Sequence, residues 1–401
     1  MDVIQVHQIN KDSLENFIFS LQNEEGGFHL QKNYNQTTLM SSAFSIITLE
    51  LINSLSLLEK RRDQDFFLSH QDEKSGFFID FNLDIKNEKI EDLEANYLHY
   101  QTTAFAISAL DALGVKPKFR LAFIDSFRGK EKILKFFDRV NWKNPWHESN
   151  KIMFLLQFFS YDYIKMKNED SLDNIQMIFD VLDSFQDPKT GLWGTQFKAS
   201  AFVSMAAAYH FLIFYKYFNR KINFSERMTS SVFQLQMRDG LFHPFGGGGA
   251  CEDLDAIDVI SKVTTNISDE FAMHLSRAHA MLLQNGNTDG GFCWAKRPKF
   301  PFLIGLKYFN PRSQLFNIGM IKWIVKNNYI GSFIPFFREQ KTYKYSNWGQ
   351  MKYDISLSDS WSTWFRLLSI ATIEKLIPGL KKHDIDFTFR RLPSIGWMQS
   401  E

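Results

Sequence analysis

The chain has 401 residues, with 46 basic and 45 acidic side chains and a net charge of +1. So even a balance, with no long basic block, excludes a nucleic-acid footprint or a polybasic membrane anchor and leaves a small molecule as the expected partner. Cys251 and Cys293 are too few for a disulfide framework, which points to a reducing compartment.

No positively charged segment followed by an apolar core opens the sequence, so it does not read as a secretory signal. The most apolar stretch, 199–218, contains Ser200, Ser204, His210 and Lys216 and reads as a buried helix, not a membrane span. A cytoplasmic protein without a transmembrane segment is expected. Its 41 phenylalanines and nine tryptophans supply aromatic surface for a core or a cavity wall.

One pattern returns along the chain: Gln22 to Phe28, Gln71 to Phe77, Gln186 to Trp193, Gln236 to Phe242 and Gln284 to Phe292. Each is a Gln, a polar turn closed by Gly, and an aromatic residue. The intervals between the glutamines are 49, 115, 50 and 48 residues, so the long one spans two periods. Trp142 to Trp146 reads as the degraded unit in that gap, and a last unit starts near Gln340 and includes Trp348 and Gly349.

After each turn a long apolar helix is expected, over 37–58, 102–113, 148–163, 197–218 and 360–376. Two-helix units of about 50 residues cannot bury their apolar faces alone and must stack. The spacing therefore predicts one all-α domain over 1–401, with six or seven repeats starting near 22, 71, 135, 186, 236, 284 and 340. In these turns Gly ends one helix and Gln bonds exposed carbonyls, a clamping role.

Between the fifth and sixth motifs, Gly246 to Gly249 open into Cys251, Glu252, Asp253, Leu254, Asp255, Ala256, Ile257 and Asp258. The spacing predicts a helix from Cys251 on which Cys251, Asp255 and Asp258 share a face. Glu252 and Asp253 are explained by the helix dipole and capping alone. Asp255 and Asp258 are not, because buried carboxylates need partners or shifted pKa values. Gly248 and Gly249 suit the close approach of a ligand.

The recurring Gln, Gly and aromatic turns between helix pairs, from Gln22 to about Thr372, resemble the repeats of the terpenoid cyclase and protein prenyltransferase superfamily. The resemblance implies an α–α toroid, a ring of inner and outer helices around a central cavity, and an enzyme. Class II cyclases of that superfamily protonate an isoprenoid with an Asp-x-Asp-Asp motif, which Asp253, Leu254 and Asp255 match and Ala256 breaks. Prenyltransferases hold zinc with Asp-x-Cys and a distant His, whereas here Cys251, Glu252 and Asp253 come in reverse order and Asp359 lies where the His is expected. Zinc or magnesium is compatible with this resemblance, with Cys251 as a metal ligand and His243, His274 or His279 as its partners.

Three functional classes follow. In the first, Asp253 and Asp255 share a proton, Asp255 leads as the acid with Asp258 beside it, and Phe242, Phe245, Phe292, Trp294, Trp361 and Trp364 stabilise a cation. In the second, paired carboxylates process a glycan, with His243, Asp289, Trp294, Trp348 and Tyr353 around the sugar. The third is a non-catalytic ring that binds a partner in its hollow or on its rim. Lys296, Arg297 and Lys299 would hold an anionic group, Arg297 with the best geometry. Gly248, Gly249, Glu252 and Asp359 complete the expected substrate site.

Overall fold

The computed structural model describes residues 9–34, 36–80, 92–244, 247–264, 266–296, 342–344 and 352–399. Twelve α-helices lie among these residues: α1 (Lys11–Phe19), α2 (Leu39–Leu51), α3 (Lys60–Ser69), α4 (Tyr97–Ala112), α5 (Lys130–Phe137), α6 (Pro145–Met166), α7 (Asp170–Ser184), α8 (Ala201–Tyr217), α9 (Ser225–Phe233), α10 (Ala250–Val263), α11 (Asp269–Leu283) and α12 (Ser360–Leu376). Two three-residue strands, β1 (Thr342–Lys344) and β2 (Lys352–Asp354), pair antiparallel. No helix among the described residues is long and apolar enough to cross a membrane.

The helices fall into two kinds that alternate along the chain. Odd-numbered helices are amphipathic: α7 buries Ser171, Asn174, Ile175, Ile178, Phe179 and Leu182 at helical spacing and turns its other residues to solvent. Even-numbered helices are buried all round, as in α8, where every residue from Ala201 to Tyr215 is inside. Each buried helix packs on the next, in the order α2, α4, α6, α8, α10, α12, and α12 returns to α2. The result is a closed inner ring with an outer layer of amphipathic helices, the α–α toroid.

The motif residues act as clamps. The Gln71 amide donates to Gly76 O in its own turn at 3.1 Å and to Phe119 O at 2.8 Å; Gln186 reaches Gly191 O and Asn223 O, both at 2.8 Å. Gln236 does the same with Gly240 O (2.7 Å) and His274 O (3.0 Å). Each glutamine thus ties its turn to the next outer segment. The aromatic end of the motif is tied inward. Phe28 N–H donates to Ser42, Phe78 N–H to Thr103, Phe242 N–H to Asp253 and Phe292 N–H to Thr363, all at 2.7–2.9 Å. Ser42, Asp253 and Thr363 are each the fourth residue of their inner helix.

The motif at 284 closes the ring. Gly290 has φ +91°, and a Cβ there would stand 2.2 Å from Ser13 O of α1, so only glycine permits this approach. Its partner helix is α12, reached through Phe292 and Thr363 across 71 positions. The expected unit start at Gln340, with Trp348 and Gly349, lies outside the described residues.

Beyond α12 the segment 377–399 forms a strap across one end of the inner ring. Thr388 N–H donates to Leu51 O (2.8 Å), and Arg390, only 4% exposed, donates to Ser108 O (2.9 Å) and pairs with Glu50. His383 pairs with Glu374 at 3.0 Å, and Trp397 packs on Tyr217 and beneath Lys262. All these partners are at or near the C-terminal ends of α2, α4, α8, α10 and α12. The inner helices therefore run parallel, and Arg390 faces the negative poles of two of them.

Candidate active site

Helix α10 starts at Ala250, one residue before the Cys251 start that the sequence predicts, with Gly249 as its N-cap. Glu252, Asp253, Asp255 and Asp258 are all buried in it. Four acids so deep in one helix demand separate explanations.

Asp253 is fully engaged. Oδ1 accepts from Phe242 N (2.7 Å), and Oδ2 accepts from Gly249 N (3.0 Å) and from Arg366 Nη1 of α12 (2.5 Å). Neither side chain of this ion pair is exposed. Burial pushes the carboxyl up, while Arg366 and the Phe242 N–H pull it back. Arg366 also donates to Cys293 O and Trp294 O. Asp253 thus fills the position that Ser42 and Thr363 fill on other inner helices, with an added charge and an added partner.

The glycines serve the same acids. A Cβ on Gly248 (φ +73°) would stand 2.3 Å from Asp253 Oδ2, and one on Gly249 would stand 2.2 Å from Glu252 Oε2. The sequence suggests that a ligand approaches this backbone; in the structure the close neighbours are the chain's own carboxylates. Gly246 and Phe245 lie outside the described residues.

Asp255 is different. It is 2% exposed, and its Oδ2 has no hydrogen-bond partner. Burial first, then the charges of Glu252, Asp258 and Asp253, hold this carboxyl well above the usual range. Both effects favour the protonated form of this carboxyl. Asp258 has one oxygen paired with Lys262 one turn on, while Oδ2 has no partner; burial raises its pKa and Lys262 opposes the rise.

Tyr209, on the neighbouring α8, joins this group. Its hydroxyl is buried with no hydrogen-bond partner, and burial followed by the charges of Asp258, Asp255 and Cys251 raises its pKa far above the ordinary value. Tyr209 is hidden in the sequence because it sits inside an otherwise apolar helix. A signal was present: a phenol in a wholly buried helix needs a polar partner. Arg366 was missed for the same reason, although an arginine between Phe365 and Leu367 of a buried helix calls for a carboxylate.

Around the acids, Cys251 Sγ donates to Glu252 Oε2 at 3.1 Å, and His243 Nε2 lies 3.8 Å from Glu252 Oε1. The His243 ring stands edge-on to Trp294 (5.5 Å) and Phe202 (6.1 Å). Burial, then Glu252 and Asp255, push the Cys251 thiol well above its normal range. A zinc ligand must be a thiolate. Among the described residues Cys251 is in no group of three metal-ligating side chains, and His274 and His279 are tied to Gln236 and Glu374. These donors do not fit a zinc centre.

Among the described residues, one group of three His, Cys, Asp or Glu side chains comes close enough to share an ion: Glu94, His147 and Glu148. Lys151 already stands 3.0 Å from Glu94 and 2.6 Å from Glu148 and supplies the positive charge there.

The remaining predicted residues separate. Trp361 packs against Phe44 and Phe365, both at 4.4 Å, and meets Phe105 of α4 at 6.3 Å. Since α4 and α12 flank α2, rings that meet across α2 lie on the inner face of the ring. Asp289 is used in its turn, accepting from Gly291 N (3.0 Å) and Ser358 Oγ (2.7 Å). Lys296 donates to Gly286 O (2.5 Å). Arg297, Lys299, Trp348 and the Tyr353 side chain lie outside the described residues.

Asp359 caps α12, accepting from Ser362 N at 2.6 Å, and its Oδ2 has no hydrogen-bond partner. Burial pushes this carboxyl up to about 7, against the pull of Ser362 and Arg366. A raised carboxyl keeps its proton in the folded chain, so its stabilising contribution is full below pH 4 and is lost as pH rises through about 7. Asn caps a helix as well as Asp does. Asp359→Asn is therefore expected to raise the melting temperature at pH 8, by up to about 4 kcal/mol of stability, and to leave it unchanged below pH 4. Parallel melting curves for both proteins across this range would count against the assignment.

A closed double ring of helices with buried acids at the start of one inner helix defines the class, an α–α toroid. Residues 1–112 and 127–298 match the family described as the prenyltransferase alpha-alpha toroid domain, and the chain belongs to that family. A solved structure of the type II terpene cyclase MstE from Scytonema, in its apo form, is similar over 92% of this chain and 97% of that one, at 12% identity and a TM-score of 0.47. No curated protein matches the sequence.

Proposed function

We propose that the protein is an acid catalyst of the cyclase type, acting on an isoprenoid by protonating a carbon–carbon double bond or an epoxide. The observation that carries this is Asp255: a buried carboxyl with an unpartnered oxygen, whose pKa is raised by burial first and then by three neighbouring carboxylates. An acid able to protonate an alkene must be both protonated at working pH and free to release its proton. Burial and the neighbouring charges shift Asp255 toward the first condition, and Tyr209, whose buried hydroxyl has no hydrogen-bond partner, stands on the neighbouring helix α8. Trp361, partly exposed and backed by the buried rings of Phe44 and Phe365, is the aromatic surface available to the cation.

Zinc-dependent prenyl transfer has less support, because among the described residues Cys251 belongs to no group of three metal-ligating side chains. Glycoside chemistry needs carboxylates on opposite sides of the scissile bond, and Asp253, Asp255 and Asp258 all leave one helix. The small-molecule substrate and a soluble, cytoplasmic setting belong to the same proposal.

The test is incubation of the protein with linear polyprenyl compounds and their epoxides in D2O. The expected product is an isomer of the substrate carrying one non-exchangeable deuterium. Products that have lost diphosphate and contain no deuterium would instead assign the chain to transfer chemistry.

A further inference from the structure

An acid that gives its proton away must be reloaded, and α10 carries the means on the same face. Cys251, Asp255, Asp258 and Lys262 recur at intervals of four, three and four residues and form one stripe along the helix. The stripe begins in the first turn of α10 and ends one residue before its C-terminus, and Asp255 and Lys262 are about 10 Å apart along the axis. Every member from Asp255 onward is buried.

The polar atoms of this stripe are under-used. Asp255 Oδ2, Asp258 Oδ2 and the Tyr209 hydroxyl each lack a hydrogen-bond partner, although all three are inside. Tyr209 lies on α8, which packs directly on α10, and the charges of both aspartates act on it. Buried polar groups are normally satisfied, so three open ones in one place point to a shared proton or to water held among them. At the far end Lys262 pairs with Asp258 and stands 5.9 Å over the Trp397 ring of the strap, with the half-buried Lys216 of α8 nearby.

We propose that Asp258, Lys262 and Tyr209 form a proton relay that reloads Asp255 from the strap-covered end of the ring, opposite to the end where α10 begins. This rests on the acid role of Asp255 proposed above. After Asp255 has donated, the Lys262 ammonium gives its proton to the paired Asp258 carboxylate, which passes a proton through the Tyr209 hydroxyl to the Asp255 carboxylate. The Lys262 amine is then reprotonated from solvent at the strap. One proton enters for each proton delivered, and no other reactant is needed. Burial lowers the Lys262 pKa, against the pull of Asp258, which favours release of that proton. Cys251 and Glu252 stand at the other end of the stripe and take no part. Tyr209, Asp258 and Lys262 act through Asp255 and are positioning residues.

The experiment uses D2O as the probe and needs no substrate. The carbonyl stretch of the protonated Asp255 carboxyl is identified by infrared difference between the wild type and Asp255→Asn, and its hydrogen–deuterium exchange is followed after transfer to D2O. Lys262→Met and Asp258→Asn are each expected to slow that exchange by roughly tenfold or more, because it must then wait for local opening of the ring. The double variant Asp258→Asn with Lys262→Met leaves no unpaired charge and gives the same measurement if a single variant does not fold. Unchanged exchange in these variants overturns the relay while leaving the acid role intact. Absence of any protonated Asp255 signal at pH 7 overturns both.

Discussion

Asp255→Asn is expected to reduce turnover by roughly 10²–10⁴-fold or more while raising the melting temperature above neutral pH. The two effects have one cause. In the folded chain the carboxyl is buried, one oxygen lacks a partner, and Glu252, Asp258 and Asp253 surround it with negative charge. Keeping the proton costs nothing at low pH. As pH rises the unfolded chain gives up this proton and the folded chain does not, so folding becomes less favourable.

Asparagine has nearly the same shape and no proton to lose, so the variant escapes that penalty and also loses its acid. Melting curves from pH 5 to pH 9 should diverge in favour of the variant as pH increases. A variant that keeps full activity would move the acid elsewhere in the ring, and one that is less stable at pH 8 would show that Asp255 is paired after all.

Arg366→Met is expected to cost about 3–5 kcal/mol of stability, because it leaves Asp253 buried with an uncompensated charge. The loss should not be local. Arg366 joins α12 to α10 and to the carbonyls of Cys293 and Trp294, so it holds together the parts where the ring closes. Adding Asp253→Asn in the same chain removes the stranded charge and should recover part of the loss, while Asp253→Asn alone strands Arg366. The coupling between the two sites is read from a double-mutant cycle by denaturant unfolding. Additive effects would mean that the pair contributes nothing beyond its separate contacts.

The ring is legible in the sequence because its grammar is local. Gln, Gly and an aromatic residue within seven to nine positions make one turn, and the same turn five times over announces stacked hairpins. Asp255 is legible for a related reason, since an acid among apolar residues on a helix cannot be an ordinary surface charge. The role of Asp253 is not legible, because its partner lies 113 positions away and its equivalence to Ser42 and Thr363 appears only once each aromatic N–H is traced to its acceptor. Gly248 and Gly249 mislead in the same way: the sequence shows that something comes close, and only the fold shows that it is Asp253 and Glu252. Tyr209 is hidden by its neighbours, three alanines before it and His210 after it, which read as plain helix.

The strap has a consequence for how the protein is made. Arg390 and Glu50 are 340 positions apart, and Arg390 and Ser108 are 282 apart. A ribosome therefore releases every inner helix before it releases the residues that pin their ends together. Until then the growing chain is an open arc with the carbonyl-rich tips of α2 and α4 bare, and closing it requires contacts of very long range, which form slowly. Newly made chains are most exposed to aggregation and proteolysis in this interval, and chaperones have their longest opportunity to bind them before Arg390 arrives.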